Sequence, residues 1–356
     1  MAVPFPPRPF DDHPFDPPHI FPAERDFEFR DQDNEPTPGY LRRAGGAHDF
    51  VYTRFAGRIL FNDGRRRIFE GCKYVRERDG RYRATNRVVI KKLKRRWIDN
   101  NPHNPENVRN EIIVAQQLGD DQHVVTMTEV LEDDRYRYII MPLLGRDILN
   151  TVDALRDEGY TIRDMPRFTR PMVANLIFIK GHGIIHRDTS PENIIVKDQP
   201  QENGCPLIDF AMALRCYRIE GNDQLVTSQV RCGKLGYMSP EVHYSHPLGF
   251  GVDVWAVGCI LFVLWTGVRL YEGPGDRCWD FFIENDNIRL AHEQNLDHYL
   301  TTPGFPPDYV HLAQMLLVVQ SLSDVQRDLL SKMLTRDPSR RITAEAILEH
   351  PYYQQR

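Results

Sequence analysis

At 356 residues the chain is long enough for one large domain or for two lobes sharing a cleft. Hydrophobic residues make up 41% and charged residues 27%, the balance of an ordinary soluble globular protein and not of a fibrous or low-complexity chain. A formal net charge of -5 supplies no global bias towards nucleic acid or an anionic membrane surface.

The six cysteines, Cys72, Cys205, Cys216, Cys232, Cys259 and Cys278, form no CxxC pair. That spacing argues against zinc and a disulfide framework and fits a reducing compartment, so a cytoplasmic protein is expected, with nuclear entry left open. The opening MAVPFPPRPF lacks the apolar core of a secretory leader. The most hydrophobic run, VDVWAVGCILFVLW, is interrupted by Asp253 and falls short of the ~20 apolar residues that span a bilayer, so no membrane span is expected.

In chain order, residues 1–45 are rich in Pro, Phe and Asp and read as a disordered or polyproline-II tail, whose phenylalanines could dock a partner. From about 50 to 145, short runs such as FVYTRF, RIFEGCKYV, RVVIKKL and YRYIIMPL are strand-like, with turns at NDG (62–64) and RDG (78–80). One helix interrupts them, PENVRNEIIVAQQLG, with Pro105 and Glu106 suited to its first turn and Gly119 to its stop. Beyond 150 the pattern is helical, as in TRPMVANLIFIKGHG and SDVQRDLLSKML, so any cleft belongs near residue 145. KKLKRR (91–96) has the composition of a nuclear-localisation run but coincides with a strand end, and it reads as a surface turn.

The chemistry concentrates in GIIHRDTSPENIIV (183–196). Moving a phosphoryl group needs cations or metal on the phosphates, oxygen ligands for that metal, and a base for the acceptor hydroxyl. An Asp followed five places later by an Asn can supply base and ligand, and the apolar flanks GII and IIV would pin the loop ends as short strands.

This stretch resembles the catalytic loop of the eukaryotic protein kinases, and an ordered series of further motifs carries the resemblance from about residue 50 to 356. It implies an α+β, bilobal fold in a domain over 46–356, with a β-rich lobe at 46–141 and a helical lobe at 145–356. RVVIKK is similar to the family's strand lysine motif, which puts Lys91 on the α- and β-phosphates, and Glu111 matches its glutamate partner. Asp188 would act as base, with Asn193 and Asp209, the latter in an Asp-Phe-Ala in place of DFG, holding Mg²⁺. LGYMSPEV matches the APE region, Asp253 the residue that braces the loop, and Arg341 the partner of Glu241. The resemblance implies ATP and Mg²⁺ as cofactors and Ser/Thr hydroxyls of protein substrates as acceptors. An alternative is a weakly catalytic scaffold that binds nucleotide.

Departures from the family pattern are informative. The glycine-rich loop is expected at RIFEGCKYV (67–75), where Gly71 is the one glycine and Val75 would cover the adenine; Val89 would sit opposite it. Met141 falls at the gatekeeper position, the Leu144 N–H could meet the adenine, and Asp147 could hold ribose or cap the next helix. Ala211 adds a Cβ at a hinge-like position. Ser190 stands where serine/threonine kinases usually carry a lysine, while Lys234 stands where they carry a threonine, so Lys234 is expected to replace the missing cation. Arg187 would order the segment 211–239 through a phosphate on Thr227 or Ser228.

Overall fold

The computed structural model describes residues 20–45, 49–100, 108–119, 121–125, 127–159, 165–197, 204–216, 218–219, 222–223, 225–226, 228, 231–271, 278 and 307–354. They divide into two compact units, one through residues 20–121 and 125–144 and the other through 122–124 and 145–354. Strands dominate the first and helices the second, the α+β division expected, and the break falls between Leu144 and Gly145.

In the first unit seven strands form a closed barrel. They are β1 (Ile20–Arg30), β2 (Pro36–Arg43), β3 (Phe50–Asn62), β4 (Arg66–Arg76), β5 (Tyr82–Lys94), β6 (Glu129–Glu132) and β7 (Tyr136–Pro142), in the order β1-β2-β3-β4-β5-β7-β6. The hairpin turns are set by aspartates that accept nearby backbone N–H groups: Asp31 from Asp33 and Glu35, Asp63 from Arg65 and Arg66, Asp79 from Arg81, and Asp133 from Arg135 and Tyr136. Closure comes from a parallel pairing of β1 with β6, Ile20 opposite Val130.

Alternation along β5 sorts its side chains. Val88 and Ile90 enter the barrel interior with Leu41, Tyr52, Phe69, Leu131, Tyr138 and Ile140. Lys91 and Leu93 face outwards, where Leu93 packs with Val130 and Ile139 against Val108 and Ile112 of a helix. That helix is α2 (Val108–Leu118), preceded by α1 (Arg95–Asn100). Pro105 and Glu106, expected in the first turn of α2, lie outside the described residues.

The expectation of a disordered tail over 1–45 is corrected for residues 20–43, which are strands β1 and β2; residues 1–19 lie outside the described residues. Composition misled because three prolines mask a period-two pattern, with Phe27 and Phe29 alternating with charges. The tie is polar as well. Buried Glu129 of β6 accepts a 2.7 Å hydrogen bond from the Tyr52 hydroxyl and pairs with Arg43 of β2.

The second unit is built on α4 (Pro166–Gly181) and α6 (Gly251–Thr266), with α3 (Ile148–Asp157), α5 (Pro240–His243), α7 (Pro307–Ser321), α8 (Asp324–Met333), α9 (Ala344–Leu348) and α10 (Pro351–Gln354). α6 is buried all round, as its unbroken apolar run requires, and stops at Gly267, whose φ of 78° suits a helix end. Ser323 and Gln326 close a capping box at the start of α8. The run YVHLAQMLLVVQS lies in α7, and LAHEQNLDHYL lies outside the described residues. The six cysteines are free thiols, and among the described residues no helix is long and apolar enough to cross a membrane.

Leu41 is fully buried in the barrel interior. Leu41→Ala should therefore destabilise the first unit by about 2–5 kcal/mol in urea titration. Removal of residues 1–45 should lower the midpoint further, because it uncovers that interior and strips Arg43 from buried Glu129.

Candidate active site

In the first unit β5 delivers Lys91 to the outward face and α2 delivers Glu111 from its first turn. The Lys91 Nζ donates to both Glu111 oxygens, at 2.9 and 2.8 Å, and the two side chains are 4% and 3% exposed. Two charges taken so far out of water need each other, and their geometry is bidentate. This is the arrangement expected of that lysine and glutamate, not the solvated charge that either would be alone.

Strand register relocates the hairpin expected to lie beside Lys91. Ile68 stands directly across from Lys91, and Glu70 across from Val89, so these share the outward face. Val75 instead pairs with Arg83, eight residues along β5 and roughly 25 Å away at strand spacing. Gly71 is strand, not loop: a Cβ there would meet the Thr53 carbonyl oxygen at 2.2 Å, so the glycine admits close approach of β3. Both expectations, Val75 over adenine and Gly71 as a phosphate contact, are therefore corrected. The turn nearest Lys91 is Asn62–Arg67, and Ile68 is the side chain that sequence reading missed. NDG was visible as a turn signal; which residue of β4 stands opposite Lys91 depends on a one-residue register shift between Cys72 and Tyr74 that no spacing rule reveals. Val89 and Met141 face each other across β5 and β7, both half-buried, and Leu144 lies just past β7.

In the second unit the loop ends are pinned as expected. Strand β9 (Ile184–Ile185) pairs with β11 (Leu214–Arg215), and β10 (Ile195–Lys197) pairs with β8 (Gly145–Asp147). Between them Asp253, 2% exposed near the start of α6, accepts hydrogen bonds from the His186 N–H at 2.7 Å, the Arg187 N–H at 3.0 Å and the Thr189 hydroxyl at 3.0 Å. That grip holds Arg187 at a φ of 65°, a left-handed conformation unusual for a side chain with a Cβ. The loop then turns so that the Asn193 amide donates to the Asp188 backbone oxygen at 2.8 Å and to its carboxylate at 3.0 Å.

Asp209 has a φ of 63°, and Phe210 behind it packs edge-on to His186 at 4.7 Å. Ala211 lies in a short 3₁₀ turn, Phe210–Met212. The left-handed backbone of this motif falls on Asp209, two residues before Ala211. The Arg187 guanidinium donates to the Met212 carbonyl at 2.6 Å and to the Ser228 hydroxyl at 3.1 Å, whereas Thr227 lies outside the described residues. Arg341 and Glu241 form a buried bidentate pair at 2.6 and 3.0 Å. Of the two roles open to Asp147, capping is realised: its carboxylate accepts from the Asn150 N–H at 3.0 Å at the start of α3.

Gly233, at a φ of 93°, lies where a Cβ would meet the Arg187 carbonyl oxygen at 2.4 Å. The next residue, Lys234, pairs through its ammonium with Glu192. Ser190 itself is 3% exposed.

Among the described residues no group of three or more His, Cys, Asp or Glu converges on one point. Mg²⁺ does not require one, since it takes hard oxygen donors from one or two side chains and completes its shell with substrate phosphates and water. Asp209 and Asn193 offer such oxygens, and the Asn193 NH₂ is already turned to Asp188, which leaves its amide oxygen as the ligating atom.

A family model, Protein kinase domain, matches residues 78–353. The chain is similar to Calcium/calmodulin-dependent protein kinase type 1 of Caenorhabditis briggsae, 26% identical over 69% of this chain and 60% of that protein. It is 29% identical to Calcium/calmodulin-dependent protein kinase cmkB of Emericella nidulans, over 69% of this chain and 54% of that one. Cyclin-dependent kinase B2-1 of Arabidopsis thaliana is 26% identical over 77% of this chain and 87% of its own length. The chain thus spans little more than half the length of the first two. Strands β1 to β4 lie before the family match, so the barrel is closed by residues outside it.

Because Asp253 satisfies three buried donors, Asp253→Ala should orphan all of them at about 1–3 kcal/mol each. The expected outcome is a loss of stability of that order in denaturant titration, with faster hydrogen exchange at the His186 and Arg187 amides.

Proposed function

The chain belongs to the protein kinase family, and on that premise we propose that it transfers the γ-phosphate of ATP to serine and threonine hydroxyls of proteins. The observation that carries the reading is the loop 186–193: a backbone fixed by Asp253, with Asp188 and Asn193 hydrogen-bonded to each other. Phosphoryl transfer asks chiefly for positioning and charge, and this loop is over-determined in position.

In this reading Lys91, aligned by Glu111, binds the α- and β-phosphates, with Ile68, Val89 and Met141 around the base and Leu144 as a backbone contact. Asp188 accepts the proton of the acceptor hydroxyl as its oxygen bonds to the γ-phosphorus and the bond to the β–γ bridging oxygen breaks, releasing ADP. Asn193 and Asp209 would hold Mg²⁺, which neutralises charge on the phosphate oxygens. Arg187, already donating to Ser228, would pair with a phosphate placed there and order the segment. The free thiols fit a cytoplasmic setting. Docking through residues 1–19 is part of the proposal.

A second reading, a nucleotide-binding scaffold with little turnover, is favoured by one observation. The Arg65 and Arg66 backbone N–H groups donate to Asp63 at 2.9 and 2.8 Å, so these amides of the hairpin are already engaged. Asp188→Asn separates the two. Loss of a general base typically costs about 10²–10⁴-fold, so kcat on a generic Ser/Thr peptide should fall by that factor with ATP binding kept. Equal and negligible phosphopeptide from wild type and variant, with Mg²⁺-dependent nucleotide binding intact, would support the scaffold.

A further inference from the structure

The catalytic loop carries no cation at Ser190, although a phosphoryl group passing to a hydroxyl develops charge beside it. Ser190 is 3% exposed and precedes the turn Pro191–Asn193, so its short side chain is enclosed by the loop. A positive group serving that point has to enter from another segment.

Lys234 enters there. Its backbone is brought in by Gly233, whose missing Cβ lets the chain lie against the Arg187 carbonyl; that Cβ position is also 3.7 Å from the Asp188 carboxylate. Its ammonium pairs with Glu192, the residue immediately before Asn193. Lys234 is thus tied to a carboxylate two residues beyond Ser190, while its neighbour Gly233 lies against the loop beside Asp188. Lys234 and Glu192 are 40% and 51% exposed, so their pair adds little to stability and leaves the ammonium able to move.

We propose that Lys234 is a catalytic residue that supplies from the segment after Cys232 the cation absent at Ser190, leaving Glu192 to contact the γ-phosphate during transfer. The inference rests on the kinase reading above. In the step the bond from hydroxyl oxygen to γ-phosphorus forms, the bond to the bridging oxygen breaks with its electron pair on ADP, and the proton goes to Asp188.

The test compares wild type, Lys234→Ala, Ser190→Lys and the double variant on one Ser/Thr peptide, with kcat and the KM for ATP measured separately. Lys234→Ala should lower kcat about 10²-fold, as loss of one preorganised electrostatic group does, with KM for ATP little changed. Restoring a lysine at position 190 should recover most of that loss, which a merely structural role for Lys234 would not allow. Wild-type kcat in Lys234→Ala, or a double variant as slow as the single one, would overturn the assignment. Failure of wild type itself to phosphorylate any peptide would overturn the kinase reading and this inference with it.

Discussion

The carboxylate of Asp253, buried near the start of helix α6, accepts hydrogen bonds from two successive backbone amides and one hydroxyl of the loop that holds Asp188. An irregular loop in a protein interior has backbone donors that no strand or helix satisfies, and without an acceptor each costs free energy. One carboxylate serves two of them, with the Thr189 hydroxyl besides, and holds Arg187 in its left-handed conformation. From that fixed point the rest follows: Arg187 turns towards Met212 and Ser228, His186 seats Phe210, and Asn193 reaches Asp188. The apolar character of α6 is part of the device, because a helix buried all round keeps Asp253 away from water.

Charge is distributed by a different logic in each unit. Lys91 and Glu111 are almost fully buried, so neither tolerates loss of the other, and such a pair is better understood as positioning than as stabilisation. Lys234 and Glu192 are half exposed, so their pairing is exchangeable. A buried pair suits a ground-state contact that must not move, and an exposed pair suits a group that changes partner.

What was legible in the sequence was what is local. His186, Asp188, Asn193 and Asp209 are fixed by spacing within single loops, and the short strands flanking them appear in GII and IIV. The turns at NDG and RDG were legible for the same reason. What failed depended on pairing between distant segments. Val75 and Gly71 were misplaced because pairing from the turn after β4 puts Val75 beside Arg83 and Gly71 opposite Val88, and a one-residue register shift between Cys72 and Tyr74 then decides which side chain meets Lys91. Residues 20–43 were misread because three prolines hide the alternation of their hairpin, and no local signal announces the parallel pairing of Ile20 with Val130 that closes the barrel. Asp147 was ambiguous in sequence because a carboxylate before a helix suits a cap and a ligand equally, and only the bond from Asn150 separates them. The pairing of Lys234 with Glu192 could be anticipated only as a need for charge.

The central claim is that this loop performs Mg²⁺-assisted transfer to a hydroxyl. The most direct measurement is a rapid-quench single turnover, with enzyme in excess over γ-labelled ATP and a Ser/Thr peptide, run with Mg²⁺ and with a chelator. The account predicts label moving from ATP to peptide serine or threonine in one exponential phase that the chelator abolishes. ATP bound in the presence of Mg²⁺ but recovered intact, with no labelled peptide over many minutes, would contradict it.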